Sequence, residues 1–197
     1  MSKTSSRVSV VLVDDDPDFV SLFKKLLSSD ARLEMVGYAS DKSSGVEMAC
    51  TLTPDIVVMD LNLSGVALDG IDAAKEIRRA TGVKILLLTA YEEHETIIRA
   101  SKVAFASGYI FKSHFTMIAD VIHATATSNS PLQEIIRELV LSELTVAERG
   151  VFEDIMKGVS VGMQYQSPST IANQKTSIFK KLGLRSTKEL ITVFSNW

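Results

Sequence analysis

Five side chains in this sequence could act together on a phosphoryl group: Asp14, Asp15, Asp60, Thr89 and Lys112. Three carboxylates gathered at one place repel, and each raises the pKa of the others unless a cation offsets them. A hard divalent ion with oxygen ligands, Mg²⁺ above all, meets that need, and Lys112 adds a fixed positive charge. One carboxylate could then attack phosphorus while the metal and the ammonium neutralise the charge spreading over the phosphoryl oxygens. Thr89 would offer its hydroxyl to one of those oxygens. An Asp-Asp pair alone is a weak signal, because acids also cap helices. What strengthens the set is that each member follows a run that reads as a strand.

Residues 8–13, Val-Ser-Val-Val-Leu-Val, are a mostly β-branched run that stops at acids, as a strand buried on both faces does. Pro17 suits the first position of a helix capped by Asp16, and Phe19, Leu22, Phe23, Leu26 and Leu27 recur at helical spacing. The alternation then repeats, with strands over 33–39, 55–59, 83–88 and 109–111 and helices over 43–52, 70–79, 92–103 and 115–127. Parallel strands need crossover helices, so this order predicts a doubly wound, five-stranded parallel sheet in an α/β unit. Functional groups in such a sheet collect at the carboxyl ends of the strands, where Asp14, Asp15, Asp60, Thr89 and Lys112 fall.

Ser128-Asn-Ser-Pro131 is polar and breaks the periodicity, which sets a boundary there. The expected organisation is an α/β domain over 1–127, a linker and linker helix over 128–141, and a small all-α domain over 142–197. Thr145-Val-Ala-Glu148 fits a capping box before an apolar face of Val151, Phe152, Ile155 and Met156, and Gly158 ends that helix. Ser167 and Pro168 open another helix that Gly183 stops, and Ser186-Thr-Lys-Glu189 reads as a second capping box before a helix over 187–195.

Composition suits this division: 197 residues, 46% hydrophobic and 23% charged, are enough for two globular cores. No apolar run approaches the ~20 residues of a membrane-spanning helix, and the N-terminal Met-Ser-Lys-Thr-Ser-Ser-Arg lacks the apolar core of a signal peptide, so a cytoplasmic location is expected. Residues 1–127 carry an excess of acids and residues 128–197 a slight excess of bases, which permits nucleic-acid binding without indicating it. Cys50, the one cysteine, is expected to be a small buried hydrophobe. His94, His114 and His123 show no ligand spacing.

The motifs VDD at 13–15, MDLN at 59–62, TA at 89–90 and ASGYIFK at 106–112 resemble the receiver domains of two-component response regulators, with their flavodoxin-like fold. That resemblance implies that Asp60 is the phosphoacceptor, that Asp14, Asp15 and Asp60 bind Mg²⁺ with the backbone carbonyl of Asn62, and that Lys112 contacts the phosphoryl group. It implies Thr89 and Tyr109 as a switch pair, although Tyr109 also reads as a core aromatic. A sensor histidine kinase would be the phosphodonor, and the protein itself would be no enzyme beyond its own phosphorylation and dephosphorylation. Two departures stand out. The segment from Leu63 to Gly70 is longer than usual and lacks a proline, and Lys112 precedes Ser113, where many receivers have a proline.

Residues 142–194 resemble the LuxR-type helix-turn-helix of NarL/FixJ response regulators. The resemblance places Ser169, Thr170, Asn173, Gln174 and Lys175 toward DNA bases and Lys180, Lys181 and Arg185 near the phosphate backbone. Double-stranded promoter DNA and a homodimer are then the implied partners. Between Gly158 and Ser167 the family carries a two-turn scaffold helix and a tight turn, but this chain has only eight residues there, with Gly162 among them. Ala172 also stands where the family often has lysine. The reading is a phosphorylation-dependent transcriptional regulator, and the alternative is a signalling adaptor whose altered module mediates dimerisation or protein binding.

Overall fold

The computed structural model of the chain describes residues 7–63, 69–90, 93–159 and 167–197. Five strands, β1 (Val8–Val13), β2 (Leu33–Ala39), β3 (Ile56–Asp60), β4 (Lys84–Thr89) and β5 (Gly108–Phe111), pair in the order β2-β1-β3-β4-β5, all parallel. The crossovers are α1 (Pro17–Ser28), α2 (Lys42–Leu52), α3 (Asp69–Thr81) and α4 (His94–Val103), and α5 (Ile118–Thr127) follows β5. This is the doubly wound sheet the alternation predicts.

Alternate residues of each strand serve opposite faces. Val10, Leu12, Ile56, Val58, Leu86, Leu88 and Ile110 pack with Phe19 and Phe23 of α1 and Ile118 and Ile122 of α5. Val11, Val13, Val57, Met59, Ile85 and Leu87 pack with Ala49 of α2, Ala73, Ala74 and Ile77 of α3 and Ala100 of α4. The small alanines on the second face let three helices approach the sheet closely.

Local corrections follow from packing. In α1 the buried face is Phe19, Val20, Phe23 and Leu27, while Leu22 stays exposed. Cys50 is exposed, not buried, because the buried residues of α2 are Gly45 and Ala49. The helix expected from residue 115 begins with a 3₁₀ turn, Lys112–Met117, before α5.

Four more helices complete the chain: α6 (Pro131–Leu141), α7 (Val146–Lys157), α8 (Pro168–Leu182) and α9 (Thr187–Phe194). Ser130, Thr145, Ser167 and Ser186 cap them, each accepting a backbone N–H through its hydroxyl. Ile136 and Val140 of α6, Phe152 and Ile155 of α7, Ile178 and Leu182 of α8, and Leu190 and Phe194 of α9 share one apolar cluster with Trp197. Phe105, which follows α4, enters the same cluster. The residues 159–166, where the shortened scaffold segment was noted, lie almost wholly outside the described residues.

Candidate functional site

The pocket forms where three strands end. β1 hands over to Asp14 and Asp15, β3 ends on Asp60, and β5 is followed at once by Lys112. Carboxylate oxygens of Asp14, Asp15 and Asp60 lie within 4.8 Å of one another, a spacing that one cation could bridge. Lys112 Nζ donates to Asp60 Oδ2 at 3.0 Å and sits 2.7 Å from Asp14 Oδ2. Its Nζ also lies over the Phe19 ring, 4.6 Å from the centroid.

Burial makes this charge arrangement costly. Asp14 is fully buried and Asp60 nearly so, whereas Asp15 is exposed at the mouth. Desolvation pushes the Asp14 and Asp60 carboxyls up, and the neighbouring ammonium only partly offsets it. Desolvation alone would lower Lys112, but its hydrogen bond to Asp14 and the charge of Asp60 outweigh that and hold it above its usual value. One ammonium therefore undercompensates two buried carboxyls. A hard divalent cation fits this donor set, and Asp14, Asp15 and Asp60 would hold it.

Thr89 is buried at the end of β4, one residue past Leu88, the register partner of Asp60. The Asn62 backbone N–H hydrogen-bonds to Asp60. Tyr109 is half-buried against the core face formed by Leu87, its register partner, and meets Phe111 edge-on at 5.9 Å. By strand alternation it shares that face with Thr89. Every peptide bond among the described residues is trans, that between Lys112 and Ser113 included. In the loop from Leu63 to Gly70, residues 64–68 lie outside the described residues, but its end is well placed: Gly70 N–H donates to Leu61 O at 3.1 Å. A Cβ at Gly70 would stand 1.8 Å from the Asp60 carbonyl oxygen, so only glycine lets α3 start this close to the acid.

A family model described as the response regulator receiver domain matches residues 10–123. The chain belongs to that family. Among curated relatives, the transcriptional regulatory protein LiaR of Bacillus subtilis is 32% identical over 138 residues, 70% of this chain and 64% of that protein. A nitrate/nitrite response regulator protein homolog of Haemophilus influenzae is 29% identical over 196 residues, covering 91% of this chain and 92% of its own. Among solved structures, RcsB of Salmonella enterica serovar Typhimurium, bound to promoter rprA, shares the fold at a TM-score of 0.55 and 21% identity, covering 96% of this chain and 99% of that one.

Beyond the receiver, α8 carries the residues expected from the resemblance to face DNA, apart from Arg185, which follows it. Ser169, Thr170 and Asn173 are exposed, and Gln174 and Lys175 are half-buried, with Gln174 Oε1 lacking a hydrogen-bond partner. Lys180, Lys181 and Gly183 border a cavity of about 150 Å³ against Lys75, Lys102 and Phe105 of the receiver. Lys181 Nζ is 2.6 Å from Glu148 Oε2, so the first turn of α7 already holds its charge. Arg185 is exposed.

Glu148 is a residue whose full role the sequence did not disclose. Its capping box is present, with Thr145 N–H donating to Oε2 at 2.7 Å, and the same carboxylate accepts from Ser177 Oγ and Lys181 Nζ at 2.6 Å each. Burial would raise its pKa, but these donors together hold it at about 2. The second expected capping box is only half made. Ser186 Oγ accepts from Glu189 N–H, but the Glu189 carboxylate turns to Arg79 of the receiver and to the Arg185 N–H. Trp197 and Arg78 were likewise silent in sequence: both fall on the period of buried neighbours, three residues after Phe194 and four after Ala74, but a residue past a helix end and a charged one give no local signal of a contact.

Proposed function

We propose that this protein is a phosphorylation-dependent regulator of transcription, in which Asp60 of the receiver accepts a phosphoryl group and the helical module over 142–197 acts on promoter DNA. The observation that carries the first half is the cluster of Asp14, Asp15 and Asp60 at the ends of parallel strands, with Lys112 in ion-pair reach of Asp14 and Asp60. An Asp60 carboxylate oxygen attacks phosphorus, and the bond from phosphorus to the donor, a phosphohistidine nitrogen of a sensor kinase, breaks. The donor imidazole leaves with the bonding electrons and takes up a proton. Lys112 stays on the new acyl phosphate as a counter-charge, Thr89 donates its hydroxyl to a phosphoryl oxygen, and Tyr109 follows Thr89 across their shared face. Bound Mg²⁺, held by Asp14, Asp15, Asp60 and the Asn62 carbonyl, would supply charge neutralisation to the transferring group.

The proposed organisation is a receiver over 1–127, a connecting segment over 128–141 and the module over 142–197. Support for transcription comes from relatives that align along most of the chain, a nitrate/nitrite response regulator homolog and a transcriptional regulatory protein, and these favour it over the adaptor reading. The exposed start of α8, with Ser169, Thr170 and Asn173 outward, is the surface offered to base edges, with Gln174 and Lys175 beside them and Lys180 and Lys181 toward phosphates. A homodimer would match paired half-sites. No helix among the described residues is long and apolar enough to cross a membrane.

The test is incubation with acetyl phosphate and Mg²⁺, followed by intact mass. One phosphate is expected on the wild type and none on Asp60→Ala; labelling of both would overturn the assignment of Asp60. Promoter DNA should then bind with a steep salt dependence that weakens in Lys175→Ala.

A further inference from the structure

The receiver helix that begins at the phosphoacceptor is also the helix that holds the C-terminal module. At 13 residues α3 is a rod of about 20 Å. Its first turn has no free space: Gly70 N–H is bonded to Leu61 O, and the Gly70 backbone lies against the Asp60 carbonyl. Any shift of the backbone around Asp60 must be absorbed by the start of α3.

The other end of the rod makes a run of contacts with the module. The Lys75 ammonium lies beside Gly183, the C-cap of α8, where the negative end of the helix dipole favours a cation. Arg79 clamps Glu189 of α9 with two hydrogen bonds, 3.0 Å from Nε and 2.9 Å from Nη2, and both side chains are partly buried. Arg78 is fully buried, with its guanidinium 5.3 Å from the Trp197 ring. Just past the helix, Asn196 Nδ2 donates to Gly82 O, and a Cβ at Gly82 would stand 2.6 Å from Thr192 O.

This grip is strong but not fully satisfied. Arg78 Nη1 donates to Gly82 O and Val83 O, while its Nε and Nη2 have no hydrogen-bond partner. Desolvation alone drops its pKa to about 10. A buried cation with unmet donors carries a cost that is recovered when water reaches it, so undocking the module from α3 relieves part of what docking imposes. That internal cost lowers the free energy needed to release the module, so a displacement at α3 shifts the docked state toward release.

We propose that α3 transmits the phosphorylation state of Asp60 to the C-terminal module, with Gly70 as its input contact and the Arg79 to Glu189 clamp and the Arg78 to Trp197 contact as its output. This rests on the reading of Asp60 as phosphoacceptor. The competing route is α4, which reaches the module through the Lys102 to Glu143 ion pair and through Phe105 against Phe194 and Trp197. No side-chain hydrogen bond caps its first turn.

The test uses the full chain with beryllofluoride and Mg²⁺ as the phosphoryl mimic and the emission of Trp197, the one tryptophan, as the readout. A saturable change in emission is expected in the wild type and none in Asp60→Ala. Coupling between sites is reciprocal, so loosening the clamp by Arg79→Gln or Glu189→Gln should shift the apparent affinity for the mimic by about fivefold or more. The exchanged pair Arg79→Glu with Glu189→Arg should return it toward the wild-type value. Lys102→Ala, on the α4 side, should shift it by less than about twofold, below the range of a coupled site. The proposal is overturned if acetyl phosphate labels Asp60 while Trp197 emission stays unchanged, if Arg79→Gln and Glu189→Gln bind the mimic as the wild type does, or if Lys102→Ala has the larger effect. Absence of both labelling and mimic binding would instead overturn the reading of Asp60.

Discussion

The Asp60 pocket and the seam between receiver and C-terminal module both bury charge, but they settle it in opposite ways. In the pocket, Asp14 and Asp60 share one ammonium, and burial leaves both carboxyls raised. At the seam and in the module, carboxylates are matched: Glu189 has the Arg79 fork, and Glu148 has Lys181, Ser177 and the Thr145 N–H. The pocket is thus built with an unmet demand for positive charge, which suits a site that takes up a cation and a phosphoryl group. At the seam Glu189 is held by the Arg79 fork, while Arg78 is a buried cation with unmet donors and no carboxylate bonded to it.

That comparison breaks most sharply at Lys112. Lys112→Ala should lower the rate of phosphate incorporation by about a hundredfold, as loss of one electrostatic stabiliser does, measured by intact mass against time. An unchanged rate would mean the pocket does not depend on this ammonium. On the seam side, Trp197→Ala removes the stacking on Phe194 at 4.9 Å and the indole hydrogen bond to Gln133 O, and should cost about 3 kcal/mol in urea unfolding. Gly70→Ala sharpens the link between the two regions: with the new methyl forced against the Asp60 carbonyl, a loss of about 2 kcal/mol and slower phosphorylation are expected together.

Smaller effects test the charge accounting itself. Glu148→Gln should cost about 1 kcal/mol, since it keeps the capping-box acceptor but removes the charge that pairs with Lys181. The pH dependence has a definite sign. The Glu148 pKa is lowered from 4.5 to about 2, so its contribution is present above 4.5 and is lost as pH falls toward 2. Circular dichroism of the wild type should show module unfolding across that window, and Glu148→Gln should flatten it. The pocket has the reverse sign: Asp14 and Asp60 are raised, so their contribution falls as pH rises through their folded values. Asp14→Asn should therefore raise Tm without metal, and Mg²⁺ should raise Tm in the wild type but not in Asp14→Asn.

Much of the receiver was legible because its signals are local. Strand-length apolar runs, the Asp16 and Pro17 start of α1, and acids at strand ends each need only a few neighbouring residues. The sheet follows because parallel strands need crossovers. The capping box at Thr145 and Glu148 was legible for the same reason. Errors came where a tertiary contact outranked a local rule. Leu22 fits the helical period of α1 but faces solvent, while Val20 is buried. Glu189 sits at the capping-box position but is drawn to Arg79, because a bidentate bond to a guanidinium is stronger than one to a neutral N–H. Cys50 is exposed because α2 turns Gly45 and Ala49 inward.

By itself the sequence determined the strand and helix order, the acids at strand ends and the caps, all set by spacing within a few residues. Only the tertiary structure decided which helix carries the module: Arg79 and Glu189 are 110 positions apart, and Gln133 and Trp197 are 64 apart. No periodicity links such residues. Their pairing is chosen by which surfaces remain unburied once the sheet is formed, and that is a property of the folded receiver rather than of any segment of the chain.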